Sequence, residues 1–170
     1  AECPAQLLRN IVHFASRDAM DIAGLGEAVA ELLINSDLIK SAGDLYYLDK
    51  EKVAALDRMG KKSAENLLAQ IEKSKSNDLY RLIYALGIRQ VGVKAAKVLA
   101  SHFGSLEALE NATYEELTAI FDIGDVTARY ITEWFNNPQS KHLLGLLRNA
   151  GVNTLNKTEK LDQRFAGKTF

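Results

Sequence analysis

Four glycines, Gly26, Gly60, Gly92 and Gly124, recur 34, 32 and 32 residues apart, and each sits in the same frame of apolar residues. Alanine follows four residues later in every copy, as Ala30, Ala64, Ala96 and Ala128. One residue before each glycine stand Leu25, Met59, Val91 and Ile123, and four before stand Ile22, Leu56, Ile88 and Ile120. Seven after come Leu33, Leu67, Leu99 and Ile131. Such agreement marks an internal repeat, and a repeat of this length is one supersecondary unit used several times over.

The residue types define the unit. A first helix ends near the apolar residue four before the glycine, and the chain turns through a short hairpin. Glycine there admits backbone angles, or a close approach, that a side chain would forbid. A second helix starts immediately after it. Alanine one turn in lets the two helices cross closely, and Leu or Ile one turn further reaches the core. Each unit is a helix-hairpin-helix. Asp49 and Thr113 stand eleven residues before their glycines, where an N-cap belongs, and Thr113 with Glu116 forms a capping box. Pro4 precedes the first helix, and Pro138 implies a loop over residues 136–140 before a helix near residues 141–149. The expected fold is all-α, with four helix-hairpin-helix motifs arranged as two pairs in one domain.

Such a hairpin presents helical N–H groups that have no partner within the helix. With the positive end of the helix dipole they favour an anion, and a phosphate reaches them unobstructed past glycine. Contacts of this kind read DNA backbone and carry no base information. The copies differ in what surrounds the turn. The first keeps two glycines, Gly24 and Gly26, followed by Glu27. The second loses the earlier glycine but carries Arg58, Gly60, Lys61, Lys62 and Ser63. The third loses it too and carries Arg89, Gly92, Lys94 and Lys97. The fourth places Asp122 and Asp125 where a phosphate would lie. Hairpins two and three are therefore the main expected DNA-binding elements, with the first as a further contact and the fourth structural. Cations at a helix start oppose the dipole, which argues for a ligand at Lys61 and Lys62. Lys94 and Lys97 fit either a phosphate contact or an ordinary exposed face.

Net charge is −1, so attraction to nucleic acid has to be local. Residues 104–125 hold six acids without a cation, whereas residues 89–97 hold three cations without an acid. A single cysteine, Cys3, excludes an internal disulfide framework, and neither a signal peptide nor a membrane span is evident. A cytoplasmic location is expected. His13, His102 and His142 lack ligand spacing and are read as structural or surface residues. Tyr80, Tyr84, Tyr130, Trp134 and Phe135 fall at helical spacings and are assigned to the core rather than to base stacking.

The order of these segments resembles the C-terminal part of bacterial NAD-dependent DNA ligases. Cys3-Pro4-Ala5-Gln6 is similar to the end of that family's zinc finger, and residues 13–22 to its approach to the first hairpin. Arg58-Met59-Gly60-Lys61-Lys62-Ser63-Ala64 and Ala85-Leu86-Gly87-Ile88-Arg89-Gln90-Val91-Gly92 resemble hairpins two and three. Phe165-Ala166-Gly167-Lys168-Thr169-Phe170 resembles the first strand of a BRCT domain. The resemblance implies residues 1–6 as a zinc-finger remnant, 7–151 as the helix-hairpin-helix domain, 152–164 as a linker and 165–170 as a truncated strand. It also implies a parent enzyme that seals nicks between 5′-phosphate and 3′-hydroxyl in replication and repair, using NAD, magnesium and a structural zinc. Cys3 would be one zinc ligand in that parent. The partners implied are nicked double-stranded DNA and the adenylation, oligonucleotide-binding, zinc-finger and BRCT domains of the same chain. No Lys-x-Asp-Gly nucleophile motif occurs here, since Lys160-Leu161-Asp162 is followed by Gln163. The chain alone is expected to be catalytically inactive and to bind no cofactor. Two other readings remain: a hairpin module of another repair protein, and a helical protein-interaction scaffold.

Overall fold

The computed structural model describes residues 3–56 and 58–157, which form helices, turns and connecting coil with one isolated antiparallel bridge, Ser105 to Leu155. The helices are α1 (Pro4–Ala15), α2 (Glu27–Asn35), α3 (Lys50–Ala54), α4 (Lys61–Ser74), α5 (Leu79–Ala85), α6 (Val93–Phe103), α7 (Leu106–Glu110), α8 (Tyr114–Thr118), α9 (Asp125–Asn136) and α10 (Pro138–Ala150). A 3-10 turn, Ala42–Tyr47, joins α2 to α3. Each glycine-led helix packs on the helix before its hairpin: α2 on α1, α4 on α3, α6 on α5 and α9 on α8. None of the described helices is long and apolar enough to cross a membrane.

The repeat frame explains this packing. Ala30, Ala64, Ala96 and Ala128 are wholly buried at the crossings, and Leu33, Leu67, Leu99 and Ile131 reach the interior beside them. Because Ile11, Phe14, Leu45, Val53, Ile83, Leu117 and Leu144 join the same cluster, the units share one core. Burial is shallower in the second hairpin, where Leu56 and Met59 are only partly covered.

Asp49 accepts the N–H of Glu51 at 2.9 Å, and the Thr113–Glu116 capping box is formed, so both expected starts are real. Pro138 behaves differently from the expected loop-former. It is the first residue of α10, and Asn137 alone separates α9 from α10, its side chain accepting the N–H of Gln139 at 2.9 Å. Proline is preorganised for the first helical position, where its missing N–H has no intrahelical role. The expected loop over residues 136–140 therefore does not exist.

Tertiary contacts complete what local sequence cannot. Arg81 donates to the carbonyls of Arg17 (2.9 Å) and Ala19 (3.1 Å), and Asn77 to that of Met20 (2.7 Å), fixing the turn after α1. Helix α10 covers the 3-10 turn so closely that a Cβ at Gly43 would lie 2.8 Å from Leu146 Cβ. Arg148 ties α10 to α7 through Glu110 (2.7 Å) and Glu107 (3.3 Å). Helical structure and backbone hydrogen bonds continue on both sides of residues 7–151. Helix α1 includes residues 4–6, and Asn153 N donates to Lys75 O (2.8 Å) while Asn156 N donates to Gly104 O (2.9 Å). The remaining linker and the BRCT-like segment, residues 158–170, lie outside the described residues.

One half-buried phenol gives this fold a pH limit. The Ser74 hydroxyl donates to Ile71 O (2.6 Å), so the Tyr46 hydroxyl must donate to Ser74 Oγ at 2.8 Å. Burial pushes the Tyr46 phenol from 10.0 up to about 12. The folded state thus keeps a proton that the unfolded chain loses above pH 10. Stability present below that pH is lost as pH rises toward 12. Urea midpoints should fall between pH 9.5 and 11.5, and less so in Tyr46→Phe; parallel curves would exclude Tyr46 as the cause.

Candidate nucleic-acid interface

Helices α2, α4, α6 and α9 begin at Gly26, Gly60, Gly92 and Gly124, and no side chain caps any of them. Other starts in the same chain are capped. Asp78 accepts from Leu79 N (2.8 Å), Ser105 from Ala108 N (3.1 Å) and Thr113 from Glu116 N (3.1 Å), besides Asp49 and Asn137. The hairpin helices thus leave their leading N–H groups free to bind something else. Backbone geometry does not demand glycine there. All four N-caps are extended, at φ −92°, −146°, −88° and −88°, a conformation open to any residue. Packing does not demand it either, since a Cβ on each would meet nothing within 4 Å. Of the two roles expected for glycine, angle tolerance and close approach, close approach is the one left.

Angle tolerance operates two residues earlier. Gly24 adopts φ +89°, and Arg58 and Gln90, at the equivalent places, adopt +66° and +68°. Hairpins two and three have therefore lost the glycine but kept the left-handed turn. Asp122, its counterpart in the fourth, is not among the left-handed residues. A left-handed L-residue carries strain of about 1–2 kcal/mol, partly offset in glycine by its greater freedom when unfolded. Gln90→Gly should consequently raise stability by roughly 0.5 kcal/mol. An unchanged or lower urea midpoint would mean that Gln90 is unstrained.

The predicted site residues gather around three separate turns. Around Gly60, Arg58, Lys61, Lys62 and Ser63 are all exposed. Glu65, one turn into α4, is bound by Lys50 at 2.8 Å, and that bond holds its carboxyl below the usual range. Beside Gly92, Arg89, Lys94 and Lys97 are exposed as well. Arg89 lies over the Tyr130 ring at 5.4 Å, and Lys97 over Tyr80 at 5.1 Å. Arg81 also lies over Tyr80, at 5.6 Å. At the first turn Gly24 and Gly26 are exposed, with Glu27 opening α2.

The aromatic assignment needs correction in part. Phe135 is core, but Tyr80 and Tyr130 are half-buried plates that carry cations on their outer faces. Cation–π contact is what sequence spacing could not show, because Arg89 and Tyr130 belong to different units. The fourth hairpin also differs from its expected form. The Asp125 carboxylate is drawn back along its own helix, accepting from the Tyr114 hydroxyl and pairing with Arg129 at 3.3 Å.

His13 Nε2 donates to Tyr84 O at 2.7 Å, a structural role, and His102 stacks edge-on against Phe103. Cys3 is exposed at the start of α1, where the Gln6 and Ala5 N–H groups lower its thiol pKa. Among the described residues no three His, Cys, Asp or Glu side chains come together as a metal site.

Comparison with known proteins gives consistent results for both halves. Residues 81–144 match a family model described as a helix-hairpin-helix motif, and residues 16–73 one described as a SAM-like helix-hairpin-helix tandem. Proteins named DNA ligase are similar along essentially the whole chain. That of Carboxydothermus hydrogenoformans is 55% identical over 100% of the chain, and that of Acetivibrio thermocellus 51% over 99%. The Bacillus subtilis protein is 49% identical over 99%. The chain spans about a quarter of these relatives, 26% of each.

Proposed function

From homology, over nearly its full length, to one segment of the bacterial DNA ligases, we propose that this chain is their helix-hairpin-helix part and grips the duplex backbone near nicks. The observation that carries the reading is the set of glycine-led helix starts, uncapped in a chain whose other described α-helices, α1 excepted, have a side-chain cap. A phosphate oxygen approaching Gly60 or Gly92 meets N–H donors and the positive end of the dipole. Arg58, Lys61, Lys62 and Ser63, or Arg89, Lys94 and Lys97, supply charge and hydrogen bonds around it. Gly24 and Gly26 offer a further, weaker contact beside Glu27. Only backbone is read, so binding is indifferent to base sequence.

The chemistry of the longer enzyme lies elsewhere in this proposal. Nick sealing with NAD and magnesium needs an adenylated lysine, and this chain holds no such motif, so it is catalytically silent alone. Zinc needs four ligands and Cys3 offers one, so the others come from outside this chain. Its place is then to hold nicked DNA for the adenylation and oligonucleotide-binding domains, flanked by the zinc finger and a BRCT domain, in the bacterial cytoplasm during replication and repair.

Fluorescence anisotropy tests the reading, using nicked duplex, intact duplex and single strand across a salt series. Duplex binding that is independent of sequence and falls steeply with salt is expected. Absence of duplex binding at the lowest salt would overturn it for the isolated chain and favour the protein-scaffold alternative.

A further inference from the structure

The fourth hairpin, acidic where the second and third are cationic, carries the most exposed aromatic ring of the described residues. Phe121 is 99% exposed and Val126, on the first turn of α9, is 56% exposed. In the repeat frame these are the places of Arg89 and Lys94 in the third hairpin. Where one hairpin holds two cations, its neighbour holds two apolar side chains.

Three observations indicate what that ring meets. The fourth hairpin keeps the glycine-led, uncapped helix start, with open space at Gly124. A tip made only to dock against another protein has no use for that feature. Its Asp125 pairs with Arg129 and accepts from Tyr114, so of the two acids at the tip the exposed Asp122 is the one left facing a phosphate. The fourth unit also lies directly beside the third, because Arg89 stacks on Tyr130 of α9. Phe121 and Arg89 hold equivalent positions in these two hairpins.

We propose that Phe121 is a wedge, placing its ring against an exposed base at a break in one strand while the cationic hairpins hold the backbone. Intact duplex keeps its bases stacked and offers such a ring little. At a nick stacking is interrupted, and an aromatic face can replace the missing neighbour. The residue thereby favours broken over unbroken DNA, a distinction that backbone contacts cannot make. This inference rests on the duplex-binding reading above and extends it to the choice of substrate.

The test uses this chain with duplexes carrying 2-aminopurine beside a nick or at the same place in an unbroken strand. Anisotropy reports binding, and 2-aminopurine emission reports stacking of that base. Wild type should change the emission of nicked DNA but not of intact DNA. Phe121→Ala should abolish that change and weaken nicked-duplex binding about tenfold, with intact duplex bound as before. Phe121→Trp should restore both. Phe121 touches nothing in the fold at 99% exposure, so circular dichroism should be the same for all three proteins. Duplex binding with the same emission in wild type and Phe121→Ala overturns the wedge alone. No duplex binding by wild type overturns the reading beneath it, and the wedge with it.

Discussion

Replacing Lys61 and Lys62 together by glutamate lowers duplex affinity about a hundredfold at low salt, and the salt slope flattens by about two. Both side chains are exposed on the first turn of α4, directly after the uncapped Gly60. A cation in that position opposes the helix dipole, whereas glutamate complements it, by about 0.3–1 kcal/mol at each exposed site. Folding therefore gains slightly while binding is lost. That opposition is the useful part of the prediction, since a merely unfolded variant would lose both. The loss should be equal across unrelated duplex sequences, because only backbone is read. Binding within twofold of wild type, in a variant of undiminished stability, would remove the second hairpin from the interface.

Much of this could be read from residues alone, and the failures have physical causes. The glycine frame located the four glycine-led helices, because alanine recurs wherever two of these helices cross closely. Asp49 and Thr113 were legible for the same reason, as caps act within three residues. The loop at Pro138 was misplaced because proline can end one helix or begin the next, and Asn137 as N-cap decides for beginning. Arg58 and Gln90 hid their left-handed geometry, because strain accepted in the fold leaves no glycine to read. The cation plate at Tyr130 was missed for another reason: its partner Arg89 comes from another unit, and Lys97 reaches Tyr80 from a different helix. Docking of residues 152–156 rests on Lys75 and Gly104, far away in sequence. Phe121 was plainly visible as a residue, but its exposure depends on the packed fold around it.

Gly92→Asp separates fold from function at the third hairpin. The extended backbone of Gly92 suits an N-cap aspartate, and its Cβ would have open space. The new carboxylate would accept the N–H groups of the second or third helical residue and face the positive end of the α6 dipole. Stability should rise by a few tenths to about 1 kcal/mol, read as a higher urea midpoint. Those same N–H groups are the ones a DNA phosphate would take, and the carboxylate repels it besides. Duplex affinity should fall at least about tenfold, close to one lost charge-assisted contact with added repulsion. One turn further along the same helix the signs reverse. Ala96 is wholly buried at the crossing with α5, and Ala96→Leu overpacks it at a cost of about 1–3 kcal/mol, without touching the exposed turn. A Gly92→Asp protein that is more stable and binds duplex as wild type does would show that α6 receives no phosphate. Four residues therefore separate a position kept open for a ligand from one kept small for the fold.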